Sequence, residues 1–188
     1  MTQRVFIAFP VEAEVKRAIS LAQTELKALN PRAHITWVKP EAMHVTIRFL
    51  GEVNESLGPA VGAAIGRVAS AHRSFRYWLN GLDGFPNKAH PNVIVARAAE
   101  EHHAGRDLEH SLTCELKRMG LVLEERAWKP HITLGRNKDH GAIGGLTTLK
   151  IEPVVWNIDR LEFIKSELGE GGPKYTVLGS YPLTAPTV

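Results

Sequence analysis

The sequence predicts an α+β fold with mainly antiparallel sheets, on three observations. Strand-like and helix-like apolar patterns are mixed along the chain, without the strict strand–helix alternation that builds a doubly wound parallel sheet. The second half of the chain repeats the alternation of the first. Two short motifs of one pattern, one in each half, stand at the starts of predicted strands.

The elements follow in order. Val5 to Phe9 is a short apolar strand closed by Pro10. From Glu12 to Leu29, apolar residues at Val15, Ala18, Ile19, Ala22, Leu26 and Leu29 form the stripe of an amphipathic helix, which Asn30-Pro31 stops. Ile35 to Val38 and His44 to Leu50 follow as strands around the turn Lys39-Pro40-Glu41. Asn54 or Ser56 caps a second helix running to Ala71, with Leu57, Val61, Ala64, Ile65 and Val68 inward. Arg76 to Leu82 and Val93 to Ala98 are strands flanking the loop Asp83-Gly84-Phe85-Pro86-Asn87. Arg106 to Met119 is a helix with Leu108, Leu112, Leu116 and Met119 inward, ended by Gly120. Strands are then expected at Leu121–Leu123, His131–Gly135, Ile158–Lys165 and Tyr175–Tyr181, with Gly-rich loops at 141–145 and 169–172.

Composition narrows the class. The 188 residues suffice for one large domain or two small lobes sharing a core. Hydrophobic residues at 44% and charged residues at 23% are ordinary for a globular chain. No apolar run approaches the roughly 18 residues of a membrane span, so no membrane partner is expected. A single cysteine, Cys114, excludes an internal disulfide, and the N-terminus has no signal-peptide layout; a cytoplasmic location is expected. The net charge of +3 suits an anionic substrate but does not by itself indicate nucleic-acid binding.

The chemistry lies in the repeated motif. Met43-His44-Val45-Thr46-Ile47 and Pro130-His131-Ile132-Thr133-Leu134 both read His-apolar-Thr-apolar, a pattern that His34-Ile35-Thr36-Trp37 also fits. With 9 His and 11 Thr, a shuffled chain holds about 0.5 His-x-Thr triplets, and about 0.1 with apolar residues at both other positions. One copy could be an ordinary half-buried strand; two copies are far outside chance. Strand alternation puts His44, Thr46 and Arg48 on one face and Val45, Ile47 and Phe49 toward a core, with His131 and Thr133 likewise sharing a face. Two imidazoles can act as base and acid in one turnover, and two threonine hydroxyls can donate to phosphate oxygens. His44 and His131 are therefore the candidate catalytic pair, and Thr46 and Thr133 the candidate phosphate donors. Arg136, just after the second motif, and Arg48, on the predicted face of His44, are candidate phosphate-binding cations.

Other groups point to less. His102, His103, Asp107 and His110 lack the spacing of a metal site and read as a solvent-facing group. No clustered Asp and His ligands suggest a two-metal site. Cys114 has no nucleophile's partner in the sequence. Phe9, Phe49, Trp37 and Trp128 read as core or cleft-wall residues. Trp37, Lys39, Trp128 and Lys129 precede the motifs in a similar way, which suggests a partly basic, aromatic rim.

At these residues the chain resembles the 2H phosphoesterase superfamily, named for two His-x-Thr/Ser motifs. Within it, the chain is most similar to the RNA 2′,3′-cyclic phosphodiesterases, also called 2′-5′ RNA ligases. The resemblance rests on Val5-Phe6-Ile7-Ala8, His44 to Gly51, Gly84-Phe85-Pro86, Lys129 to Arg136, and the stretch from Phe163 to Tyr175. It implies two pseudo-symmetric lobes, each an antiparallel sheet with helices on its outer side, around a central cleft, so that residues 1–188 form a single domain of intertwined lobes. It also implies hydrolysis of RNA or nucleotide 2′,3′-cyclic phosphate ends to 2′-phosphates without metal or cofactor, with one of His131 and His44 as base and the other as acid, and 2′-5′ ligation as a minor activity; a monomer is expected. Two alternatives stand beside it: a phosphodiesterase for a small nucleotide such as an ADP-ribose cyclic phosphate, and a non-catalytic RNA- or nucleotide-binding module.

Overall fold

The structure is a computed structural model that describes residues 1–169 and 172–185. In chain order the elements are β1 (Thr2–Pro10), α1 (Ala13–Leu29), β2 (Ile35–Trp37), β3 (His44–Asn54), α2 (Gly58–Ala71), β4 (Phe75–Phe85), β5 (Val93–Glu100), α3 (Ala104–Arg118), β6 (His131–Asn137), β7 (Val155–Ile158), β8 (Arg160–Gly169) and β9 (Gly172–Pro182). Every ladder between these strands is antiparallel. The strands run β7-β4-β5-β6-β3-β1-β8-β9, with β2 added to β6. The two expected antiparallel sheets are the two halves of this array, and one register pair joins them, Val45 with Ile132.

The halves are interlaced along the chain. β1 and β3 pair with each other, and β1 pairs with β8, which comes more than a hundred residues later. β2 leaves its sequence neighbours to pair with β6. The segment expected as one strand, Ile158–Lys165, is broken at Asp159 into β7, which pairs with β4, and β8, which pairs with β1 and β9. Residues adjacent in sequence thus serve opposite halves of the array.

The helices lie on one side of the array and share its main core. The apolar stripe of α1 is buried as predicted, and with it the polar Gln23. Its amide donates to the carbonyls of Val38 and Leu134 at 2.8 and 2.9 Å, which satisfies the buried group and ties α1 to the end of β2 and to β6. α3 buries Leu108, Leu112 and Leu116. Gly105 near its start is required, because a Cβ there would collide with the Tyr77 hydroxyl. Leu121–Leu123, expected as a strand, is irregular: Val122 is 96% exposed and only Leu123 is buried, so three residues offer too little to a ladder. The tip of the 169–172 loop lies outside the described residues.

β1 is buried on both faces. Val5, Ile7 and Phe9 enter the main core, whereas Phe6 and Ala8 form a second, smaller cluster with Ile164 and Tyr175 on the opposite face. That opposite face is the cleft face, and it carries the motif side chains.

Candidate active site

The motif strands β3 and β6 meet only where their patterns coincide. An antiparallel pair has a local two-fold axis, and here it passes between Val45 and Ile132, the first apolar residue of each motif. Both are wholly buried, so the residues beside them point to the cleft face. Continuing the register by one step sets His44 across from Thr133 and Thr46 across from His131. The register therefore sets all four motif residues singled out from the sequence around one contact, each histidine across from the threonine of the other motif.

Each ring is oriented by backbone two residues upstream. His131 Nδ1 lies 2.6 Å from the Lys129 carbonyl, and His44 is hydrogen-bonded to the carbonyl of Ala42. A carbonyl only accepts, so the ring nitrogen facing it carries the hydrogen and the other nitrogen is the one offered to the cleft. Trp128 donates its indole N–H to the Thr46 carbonyl at 2.8 Å, clamping the first motif against the segment that leads into the second.

Burial lowers the basicity of both rings. His44 is pushed down to about 4, chiefly by desolvation, with the hydrogen bond to Ala42 opposing it and the charges of His131 and Lys16 adding to it. His131 is also lowered, again chiefly by burial, opposed by the Lys129 carbonyl and helped by Arg126 and Arg136. That His131 bears on His44 electrostatically, and Arg136 on both His131 and Tyr175, places these groups around one space.

Two aromatic walls flank the imidazoles. On the first, Phe6 lies 4.7 Å from the His44 ring and 5.7 Å from Phe49, and Tyr175 meets His44 edge-on at 5.2 Å. On the second, Phe85 meets the His131 ring edge-on at 5.0 Å and carries Arg126 and Lys129 over its own ring. Phe85, expected in a loop, is the last residue of β4.

The two candidate arginines separate. Arg48 does not reach the cleft. Its guanidinium pairs with Glu109 and donates to Thr113 Oγ1 at 2.8 Å, both on α3, and to the Glu124 carbonyl at 3.0 Å. The cause is a β-bulge. In the β1–β3 ladder Ala8 pairs with Thr46 and Ile7 with Arg48, leaving Ile47 as the extra residue. One extra residue inverts the alternation beyond it. Arg48 turns to the helix side, and Phe49, expected in the core, is 53% exposed beside Phe6. Arg136 is exposed, and its positive charge lowers the basicity of His131 and the pKa of Tyr175.

Sequence reasoning missed Phe6 and Tyr175 as walls of the site and Arg126 as a charge beside it. Phe6 sits in an all-apolar run and gave no signal of a second buried face. Tyr175 is 131 residues from the imidazole it touches, so no local pattern joins them. Trp37 and Trp128 are partly buried and pack on the main core, and Phe9 is wholly inside it. His102 and His103 are exposed, with left-handed backbone, and among the described residues no three His, Cys, Asp or Glu side chains converge as metal ligands. No helix among these residues is long and apolar enough to cross a membrane.

Comparison with known proteins identifies the family. The family model for LigT-like phosphoesterases matches residues 9–95. An RNA 2′,3′-cyclic phosphodiesterase of Thermus thermophilus is 32% identical, over 96% of this chain and 90% of that protein. One of Thermotoga maritima is also 32% identical, over 93% and 92%. A crystal structure of a Thermus thermophilus protein superposes with a TM-score of 0.81 at 30% identity, covering 98% of this chain and all of that one. The fold is shared as well with Escherichia coli LigT, solved with 3′-AMP, at a TM-score of 0.79 and 22% identity over 98% of this chain and 99% of that one. The chain belongs to the LigT-like phosphoesterases of the 2H superfamily, the family of the RNA 2′,3′-cyclic phosphodiesterases.

Proposed function

We propose that the chain hydrolyses 2′,3′-cyclic phosphate ends of RNA to 2′-phosphates, with His44 and His131 as the acid–base pair. The observation that carries this reading is the reciprocal seam: two histidines, each with one ring nitrogen tied to backbone, set across from two threonines at a single antiparallel contact. That arrangement suits one tetrahedral phosphate held between two proton-transfer groups.

His131 takes a proton from water as the water oxygen attacks phosphorus. The P–O3′ bond breaks, and His44 gives its proton to the departing 3′-oxygen, so one water is consumed and the product is a 2′-phosphate beside a 3′-hydroxyl. Thr46, Thr133 and Arg136 bind the non-bridging oxygens, where charge must be held. Arg126 and Arg136 beside His131 favour its neutral form, which suits the base. His44 is neutral in the free cleft; the bound phosphate anion raises its basicity and makes it the acid. The imidazoles supply both proton transfers, so the step needs no metal.

The test is an RNA ending in a 2′,3′-cyclic phosphate, incubated with and without chelator, with the product isomer identified. A 2′-phosphate formed in chelator supports the reading. A 3′-phosphate, or loss of turnover in chelator, overturns it. Adding an RNA with a 5′-hydroxyl to the same assay measures 2′-5′ ligation, in which that hydroxyl takes the place of water.

A further inference from the structure

We infer that Arg126 and Lys129, seated on Phe85, form a second phosphate subsite for the phosphate 5′ of the terminal nucleotide, so that the site selects the end of an RNA strand over a cyclic mononucleotide. The inference rests on the cyclic-phosphate reading above and extends it to a substrate length.

Three observations support it. First, both cations lie over the same ring, the guanidinium carbon of Arg126 and Nζ of Lys129 each 6.0 Å from its centroid. A cation over an aromatic face is attracted by the ring quadrupole, which biases the place where it meets an anion. Second, among the described residues neither cation forms an ion pair, whereas Arg48, Arg67, Arg97 and Arg160 each have an acidic partner. Third, the cluster is fixed to the catalytic centre and yet separate from the motif side chains. Phe85 meets the His131 ring at 5.0 Å, and the carbonyl of Lys129 itself orients that ring.

The anion demand of the site decides the occupant. One phosphate between the imidazoles is served by Thr46, Thr133 and Arg136. Two further positive charges on the Phe85 flank serve a second anion, and in an RNA end the next anion along the strand is the 5′-phosphate of the same nucleotide. Both cations stand over the Phe85 ring, whereas Phe49 on the opposite wall is exposed and open to a nucleobase.

The test compares kcat/KM for a cyclic mononucleotide with that for an oligoribonucleotide ending in the same cyclic nucleotide, across a salt series. The wild type should prefer the oligomer roughly tenfold. Its salt dependence should be steeper by about 0.7 in log–log slope for each phosphate neutralised. Arg126→Ala with Lys129→Ala should collapse the preference and the extra slope together. A ratio of two substrates on one protein cancels any loss of folded fraction or change at His131. An equal rate on both substrates in the wild type, or a preference that survives the double substitution, overturns the subsite while hydrolysis stands. No hydrolysis of either substrate overturns the parent reading and this one with it.

Discussion

β3 and β6 carry the same motif and have opposite fates five residues later. In both, a bulge falls on the apolar residue after the threonine: Ile47 against β1, and Leu134 against β5, where Val95 pairs with Thr133 and Ile94 with Gly135. Beyond each bulge the alternation is inverted. The residue four after the histidine then faces the core, and the residue five after it faces the cleft. In β3 these are Arg48 and Phe49; in β6 they are Gly135 and Arg136. Arg48 fills its place with an ion pair to α3, whereas Gly135 must stay bare, because a Cβ there would come within 2.8 Å of Ile35 as β2 closes on β6. At the cleft positions one half offers an aromatic face and the other a cation. A repeated strand motif thus lines an asymmetric cleft, because the two positions that the bulge re-aims differ between β3 and β6.

The comparison can be tested from its strongest element to its weakest. His44→Ala and His131→Ala should each lower the rate of cyclic-phosphate hydrolysis about 10²–10⁴-fold, as measured by initial rates. Bis(4-nitrophenyl) phosphate, whose leaving group needs no proton, should separate the two: His44→Ala recovers most of its rate on that substrate and His131→Ala does not. The opposite pattern would exchange the two roles.

The arginines should differ in kind. Arg48 and Glu109 have side chains only 14% and 9% exposed, so Arg48→Ala strands a buried carboxylate and should cost about 3–5 kcal/mol of stability. Denaturant melts would show this, and Arg48→Met with Glu109→Leu should recover most of it. Arg136→Ala should leave the melt within about 0.5 kcal/mol of wild type, as an exposed surface change does. It should lower kcat/KM by about 10- to 100-fold, the worth of a charge-assisted hydrogen bond of about 1.5–3 kcal/mol. Should Arg48→Ala instead lower kcat/KM in the folded protein as Arg136→Ala does, the bulge argument fails.

The last effect concerns pH. Unfolded His44 binds a proton near its ordinary value of 6.5, but folded His44 does so only near 4. Between these values the unfolded chain holds more protons, so stability is full above about 6.5 and is lost as pH falls toward 4. His44→Asn should make that decline in Tm shallower. An unchanged slope would show that His44 is not buried as neutral imidazole.

The sequence by itself determined the α+β class, the helix stripes, and the grouping of His44, Thr46, His131 and Thr133. The class and the stripes follow from periods of 3.6 and 2, which hold over short spans and need no knowledge of the partner, and the grouping follows from the recurrence of one motif. Only the tertiary structure decided that β3 and β6 meet at Val45 and Ile132, that Asp159 divides two strands of opposite halves, and that Arg48 belongs to α3 while Arg136 belongs to the cleft. A bulge exists only relative to the neighbouring strand, so the sequence of β3 alone carries no sign that the face changes after Ile47. Tyr175 beside His44 and Arg126 on Phe85 depend likewise on the closure of distant segments. Local periodicity placed the candidate acid–base pair on one face of its strands; strand pairing, set by the whole chain, placed the charges and aromatic walls around it.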